Sequence, residues 1–150
     1  MENKEFEKNK AELISIVQQM ADAQTAEEIT RHWSEDVIWL DIQPHASKGK
    51  ALALVEFRRQ FALLDSCKAD LLETELIIED NMALVCTIQH FTAVAGGKHV
   101  SDLITRQTDC FRKQGGNWIL IHQHVSLPVD GEWMSGKANE EKFRITSFRA

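Results

Sequence analysis

The chain is poor in the features that mark cysteine frameworks, basic surfaces and membrane spans. Its three cysteines, Cys67, Cys86 and Cys110, are isolated and odd in number, so their spacing indicates neither a disulfide framework nor a cysteine metal site. No run of lysine or arginine is longer than two, and the net charge is −6, which argues against a basic nucleic-acid-binding face. The longest uncharged stretch, residues 81–97, is interrupted by threonine, glutamine and histidine, which predicts no membrane span.

Sequence motifs of several enzyme classes are absent as well. The chain has no glycine-rich phosphate loop, no serine nucleophile elbow and no His-Glu-x-x-His zinc motif. Its first five residues include no apolar segment, so we expect no secretory leader, and together with the isolated thiols this predicts a cytoplasmic protein. What remains is a chain of 150 residues with 43% apolar and 27% charged residues, which is typical of one globular domain.

The first part of the chain has helical periodicity. Apolar residues recur at helical spacing over residues 3–23 and 49–64, which predicts two amphipathic helices. Between these segments, residues 25–28 fit a capping box at the start of a short helix. Residues 37–42 are rich in β-branched and aromatic side chains and predict a short strand, which Pro44 ends.

The second part of the chain alternates between apolar and polar residues and contains tight turns. Glycine pairs at residues 96–97 and 115–116 predict hairpin turns, because glycine adopts positive φ without steric cost. The turns separate predicted strands over residues 67–78, with an irregularity inside it, and over residues 82–91, 100–112 and 118–127. Helices followed by a meander of strands indicate an α+β fold, a cone of three N-terminal helices on a strongly curved antiparallel sheet.

The last two predicted strands carry a recognisable motif. Arg106 and Thr108 form an Arg-x-Thr strand, and after a glycine turn the chain continues as Trp118-x-x-x-His122-x-His124-x-Ser126-x-Pro128. This pattern resembles the C-terminal signature of the nuclear transport factor 2-like superfamily, in its SnoaL-like branch of ketosteroid isomerase homologs. The resemblance implies a SnoaL-like domain at residues 1–130, followed by a C-terminal tail at residues 131–150.

The superfamily that this motif resembles is not tied to one activity. It includes isomerases, dehydratases, cyclases, hydrolases, binding proteins without activity and assembly modules, so the fold alone does not decide the function. The resemblance also implies that the protein uses no metal and no cofactor, since proteins of this family usually have none.

Asp41 is the candidate general base. It follows a short apolar strand, where partial burial would raise the pKa of a carboxyl toward the range of a useful base. The resemblance implies the same role, because ketosteroid isomerases place their catalytic aspartate near this point. However, the chain contains no tyrosine, so the tyrosine donor of that enzyme's oxyanion hole is missing. The alternative is that Asp41 caps a turn or pairs with Lys48 or Lys50.

Polar side chains cluster on one face of the last two predicted strands. His122 and His124 are two residues apart and therefore point to the same face, as do Arg106 and Thr108 on the neighbouring strand. The cluster suits a pocket wall for an anionic or carbonyl-bearing molecule, or a hydrogen-bonded network that fixes strand register or a dimer seam. Metal binding with His90 as third ligand is the least favoured interpretation.

Two functions from different classes remain. The first is a small-molecule pocket protein, an isomerase or lyase with Asp41 as base, acting on a compact apolar ligand with a polar head. The second is a non-catalytic binding or dimerisation domain. We expect a homodimer through the outer sheet face, because that face also carries apolar residues. The candidate pocket residues are Trp33, Trp39, Phe57, Phe61, His90, Arg106, His122 and His124.

Overall fold

A computed structural model describes residues 2–42 and 46–129 and confirms the α+β class. The elements, in chain order, are α1 (Asn3–Asp22), α2 (Ala26–Ile29), β1 (Trp33–Leu40), β2 (Ala46–Lys48), α3 (Lys50–Ala62), β3 (Ser66–Glu79), β4 (Met82–Ala95), β5 (Lys98–Gln114) and β6 (Asn117–Ser126). Two predictions, the strand-ending role of Pro44 and the separate tail at residues 131–150, lie outside the described residues.

The capping box at α2 is formed with one change of partner. The Thr25 hydroxyl accepts a hydrogen bond from the Glu28 backbone N–H at 3.1 Å. The Glu28 carboxylate accepts from the Gln24 backbone N–H at 2.8 Å, whereas the sequence predicts Thr25 as the donor. Both contacts satisfy backbone N–H groups at the start of the helix, so α2 begins where the sequence predicts.

Six strands form one sheet in the order β2-β1-β6-β5-β4-β3. The four long strands, β3 to β6, pair antiparallel through their hairpins, as predicted. The sheet as a whole is mixed, because β1, which the antiparallel meander does not include, runs parallel to β6. These two strands are far apart in sequence and no tight turn joins them, so local turn signals contain no information about their direction.

Interruptions in strand pairing bend the sheet. The pairing shifts between Leu71 and Glu73 of β3, which confirms the predicted irregularity in that strand. A second shift lies between Cys110 and Phe111 of β5, where Ile121 of β6 is the extra residue. An extra residue bends its strand and increases the local twist. The sheet therefore curves around the helices, and alternation along β6 is reset at Ile121.

The hydrophobic core fills one end of the space between the sheet and α1. Leu13 and Val17 of α1 pack with sheet residues such as Phe111 and Leu120, all of them buried. At this end Asn9 is also buried, and its Oδ1 atom accepts hydrogen bonds from Lys113 Nζ at 2.8 Å and Trp118 Nε1 at 3.3 Å. The opposite end of the same space is left open. Within the described residues, no helix is both long enough and apolar enough to cross a membrane.

Candidate ligand-binding cavity

The open end of the cone contains a cavity of about 290 Å³. This volume lies near the lower end of the range for small-molecule sites, which is about 300–1,000 Å³. The lining comes from the C-terminal end of α1, from α3, from the residues after β1, and from the inner face of β3 to β6. The cavity therefore lies between the helices and the concave face of the sheet.

Aromatic side chains form one wall of the cavity. Trp39 and Phe57 lie against each other, with ring centroids 4.5 Å apart, and Phe61 follows Phe57 at 6.4 Å. Trp33 lies behind them, edge-on to Phe57 at 5.6 Å, and its Nε1 atom donates to Met20 Sδ at 3.4 Å. Three of the four predicted aromatic residues thus line the cavity, whereas Trp33 supports the wall from within the core.

Asp41 lies on the cavity lining directly after the end of β1, and it is half-buried. Its Oδ1 atom accepts a hydrogen bond from the Ile42 backbone N–H at 2.8 Å, and Oδ2 accepts from Gln60 Nε2 at 3.4 Å. The carboxylate is thus held by local donors while it remains in reach of a molecule in the cavity. Its role as a base stays a prediction.

Three glutamines form a polar floor on the sheet beside the aromatic wall, with Gln123 next to Trp39 in the pairing of β6 with β1. Gln89 of β4, Gln107 of β5 and Gln123 of β6 all line the cavity. Gln107 Nε2 donates to Asp109 Oδ2 at 2.8 Å, and Gln123 Nε2 donates to Asp109 Oδ1 at 2.8 Å. Gln89 Nε2 donates to Thr87 Oγ1, also at 2.8 Å. Gln107 and Gln123 are thus joined through the Asp109 carboxylate beneath them, and Gln89 is held separately by Thr87.

Asp109 lies beneath this floor and has no exposed surface. Burial raises the pKa of its carboxyl from 3.8 to about 6, because the charged form loses its hydration. The hydrogen bonds from Gln107 and Gln123 oppose this shift. Among the described residues, no lysine, arginine or histidine forms an ion pair with it. A buried carboxylate held only by neutral amides is costly to the fold, which is typical of functional sites.

Sequence reasoning missed Asp109 and the three glutamines. In β5 the residues at positions 105, 107 and 109 are polar, and so are the residues at positions 106 and 108 on the other face. Period-2 alternation therefore could not tell which face is buried. The available signal was Phe111, because a strand whose aromatic residue faces the core turns Asp109, two residues earlier, to the same side.

The predicted polar cluster does form, but on the opposite face of the sheet. Arg106 pairs with Ser126, and Thr108 pairs with His124, so these side chains lie side by side. The prediction that Arg106, His122 and His124 line the pocket is wrong, because none of them lies on the cavity lining. For the two histidines the cause is the extra residue in β6: Trp118 and Leu120 face inward, but beyond Ile121 the inward positions are Gln123 and Val125. Arg106 faces outward because Phe111, five residues later on β5, faces the core.

The histidines of the outer face have their own partners. The Nδ1 atom of His122 lies 2.9 Å from the Ile38 carbonyl oxygen, and the Nε2 atom of His90 lies 2.6 Å from Asp102 Oδ1. His90 is on β4 and points away from the cavity, whose lining includes its neighbours Gln89 and Phe91 but not His90, so its predicted place in the pocket is wrong as well. In residues 2–42 and 46–129, no group of three or more ligand side chains could hold a metal ion.

A curved mixed sheet, covered by three helices and open at one end, defines the conical α+β class that the sequence predicts. The chain belongs to the family of the SnoaL-like domain, whose sequence model matches residues 12–130. The resemblance carried by the last two strands is thereby confirmed, and the protein is a member of the nuclear transport factor 2-like superfamily. A comparison with curated proteins gives no match.

Solved structures share this fold at low sequence identity. A nuclear transport factor 2-like protein of unknown function from Pseudomonas putida has a TM-score of 0.70 at 21% identity, over 82% of this chain and 89% of that one. A candidate dehydratase from Streptomyces avermitilis has 0.75 at 14%, over 83% and 99%. A candidate ketosteroid isomerase from Parabacteroides distasonis has 0.62 at 15%, over 77% and 85%. Such likeness establishes the fold alone.

Proposed function

We propose that the protein binds a compact, mainly apolar small molecule with a polar head in the cavity of the cone. The observation that carries this proposal is the floor of Gln89, Gln107 and Gln123 above the buried Asp109. An interior needed only for stability would bury apolar side chains at these positions, because a buried charge costs stability. The aromatic wall beside the floor supplies the apolar contact that such a ligand needs.

The reaction that this arrangement suits is a proton transfer of the isomerase or lyase type. Asp41 is the base in this proposal, because it lines the cavity and is held by the Ile42 N–H and Gln60 rather than enclosed. The candidate dehydratase and candidate ketosteroid isomerase with this fold support the same class of chemistry. The competing proposal is binding without turnover in the same cavity.

A matched pair of cavity variants tests ligand binding. Ala69 of β3 lines the cavity, whereas Ala62 at the end of α3 is exposed and lies outside the lining. We expect benzyl alcohol and acetophenone to bind weakly to the wild-type protein, as measured by saturation-transfer NMR. Ala69→Phe should abolish this signal by filling the cavity, and Ala62→Phe should leave it unchanged. If neither probe binds, or if Ala69→Phe still binds both, the proposed function is wrong.

We also propose that the outer face of the sheet forms a homodimer. Large apolar side chains lie exposed on this face, among them Ile77 and Leu84, which are paired across β3 and β4, and Ile104 of β5. Their exposed fractions are 59%, 36% and 42%. An apolar sheet face of this kind is typically covered by a partner, and a stable interface of about 1,600 Å² would suffice.

The charges on the outer face favour a second copy of this chain as the partner. Glu73 and Glu75 lie exposed on β3, at one edge of the long-stranded part of the sheet. Arg106 and His124 lie exposed on β5 and β6, toward the other side. A two-fold axis parallel to the strands, lying between two facing sheets, would bring the acidic side of one copy over the basic side of the other. The face is therefore complementary to itself.

A further inference from the structure

The three glutamine amides of the cavity floor are all oriented in the same sense. Each amide nitrogen donates to an oxygen on the sheet, either Thr87 Oγ1 or one of the two Asp109 carboxylate oxygens. For Gln89 and Gln107 the acceptor lies two residues away on the same strand, toward the filled end of the cone. Thr87 precedes Gln89 and Asp109 follows Gln107, because β4 and β5 run in opposite directions. Each amide therefore keeps its carbonyl oxygen and one N–H for other partners, while the first N–H is committed to the sheet.

The carboxylate fixes this orientation at two of the three amides. An ionised carboxylate can only accept hydrogen bonds, and Asp109 is fully enclosed, so water cannot replace its donors. Turning either Gln107 or Gln123 around would place an amide oxygen against a carboxylate oxygen. The floor is consequently held with its amide oxygens available to the cavity.

The charge beneath the floor decides which head group the cavity favours. Asp109 has no ion-pair partner among the described residues, and an uncompensated charge acts strongly where water is excluded. The charged or titratable side chains on the cavity lining itself are Asp41, Arg59 and Cys67. Asp41 adds negative charge, and Arg59 is bound to Glu56 through Nη2 at 2.9 Å and Nε at 3.3 Å. The potential at the floor is therefore negative.

We propose that the cavity selects a ligand whose polar head donates hydrogen bonds, above all a protonated amine on a compact aromatic or aliphatic body. This inference rests on the proposed function, that the cavity holds a small molecule. The head would lie on the amide oxygens of Gln107 and Gln123, above Asp109, and the body would lie against Trp39 and Phe57. Aromatic faces attract cations as well, so wall and floor favour the same charge. A carboxylate head would meet the amide oxygens and a negative potential, and a ketone head would accept only from the remaining amide N–H groups, without the attraction between opposite charges.

A series of probes that differ only in the head group tests the selection. Benzylamine, benzyl alcohol, acetophenone and benzoate share one ring and are titrated into the protein by NMR at about pH 7.5. We expect benzylamine to bind about tenfold more tightly than acetophenone, because hydrogen bonds to charged groups are the stronger ones. Benzoate should bind most weakly of the four. Equal affinities for benzylamine and acetophenone would overturn the selection and leave the proposed function standing, whereas no binding by any probe would overturn both.

Replacement of the carboxylate identifies the source of the preference. Asp109→Asn keeps the shape of the side chain and removes its charge, so the preference for benzylamine over acetophenone should fall to about twofold or less, while acetophenone binding persists. The control is Asp36→Asn, an exposed position on β1, which should not change the ratio. If the full preference survives in Asp109→Asn, the carboxylate is not its source and the inference is wrong.

The pH dependence of the wild-type protein tests the same point without a substitution. The carboxyl of Asp109 has a pKa of about 6, and benzylamine stays protonated in this range. Lowering the pH from about 7.5 to about 5 should weaken benzylamine binding about fourfold, because only the ionised fraction of Asp109 favours the cation and the protonated form keeps the weak preference expected for Asp109→Asn. Acetophenone binding should change little. An amine affinity that does not depend on pH would contradict the inference, even if Asp109→Asn fails to fold.

Discussion

Asp109→Asn should change how the stability of the protein depends on pH. Burial raises the carboxyl pKa of Asp109 from 3.8 to about 6 in the folded state. The folded protein therefore holds this proton more tightly than the unfolded chain does. Between these two values the folded state binds more protons, so the free energy of unfolding falls as the pH rises. Asparagine has a similar shape and no titrating proton. The free energy of unfolding of Asp109→Asn should therefore not fall in this way as the pH rises.

The size of the effect follows from the shift. A change of about two pKa units corresponds to about 3 kcal/mol at 1.36 kcal/mol per unit. About 2 kcal/mol of this stabilisation is lost between about pH 4 and about pH 7.5. The rest is already lost at about pH 4, because a large share of the unfolded chains is deprotonated at Asp109 there. Asp109→Asn should gain about 2 kcal/mol over the wild type across this interval, or about 4–8 °C in melting temperature. The comparison of two pH values cancels the altered hydrogen bonds of the variant.

Urea unfolding followed by tryptophan fluorescence measures the difference. Wild type, Asp109→Asn and the exposed control Asp36→Asn are unfolded at both pH values. The control should follow the wild type. If the free energies of unfolding of the wild type and Asp109→Asn change equally with pH, burial does not raise the pKa of the Asp109 carboxyl. A variant that loses stability relative to the wild type as the pH rises would show that Asp109 is well compensated in its charged form, which would refute the reasoning.

Four other substitutions have defined expectations. Asp41→Asn should change the urea-unfolding free energy by less than about 1 kcal/mol, because its side chain is half-exposed, and should abolish any proton transfer found in an activity screen. Arg106→Glu should dissociate the dimer of about twice 17.1 kDa in light scattering and leave acetophenone binding intact. The control Arg58→Glu on α3 should change neither the dimer nor acetophenone binding. Phe57→Ala should cost about 3 kcal/mol in urea unfolding by opening the aromatic wall. Asn9→Leu should cost about 1–3 kcal/mol in the same assay, because Lys113 and Trp118 lose their acceptor.

Local signals were enough to predict the meander. Gly96 and Gly97 have φ values of 59° and 74°, and Gly115 and Gly116 have 57° and 82°, so both glycine pairs are used for the conformation that predicted the hairpins. Once the turns are placed, antiparallel pairing of β3 to β6 follows from chain connectivity. The parallel contact of β1 with β6 could not be predicted in this way, since it depends on packing between distant segments.

The candidate site was predicted less well, and for the two histidines of β6 the reason is one residue in that strand. Uninterrupted alternation from Trp118 and Leu120 would turn His122 and His124 into the cone. The extra residue, Ile121, reverses the faces beyond it, and nothing in its side chain distinguishes it from an ordinary strand isoleucine. Histidine and arginine also attract functional interpretation more readily than glutamine does. The sequence therefore indicated the right strands but the wrong face of them.

Because of the extra residue at Ile121, the histidines of the family motif and the residues that line the cavity lie on opposite faces of the sheet. The motif that identifies the family includes Arg106, His122 and His124, and these lie on the outer face, where His122 contacts the Ile38 carbonyl of β1. Side chains on that face can stabilise strand pairing or assembly, but they cannot contact a molecule inside the cone. The motif is therefore informative about the fold and carries no information about the ligand. In the proposed function, ligand preference depends on the inward positions next to the motif residues, which here are occupied by Gln107, Asp109 and Gln123.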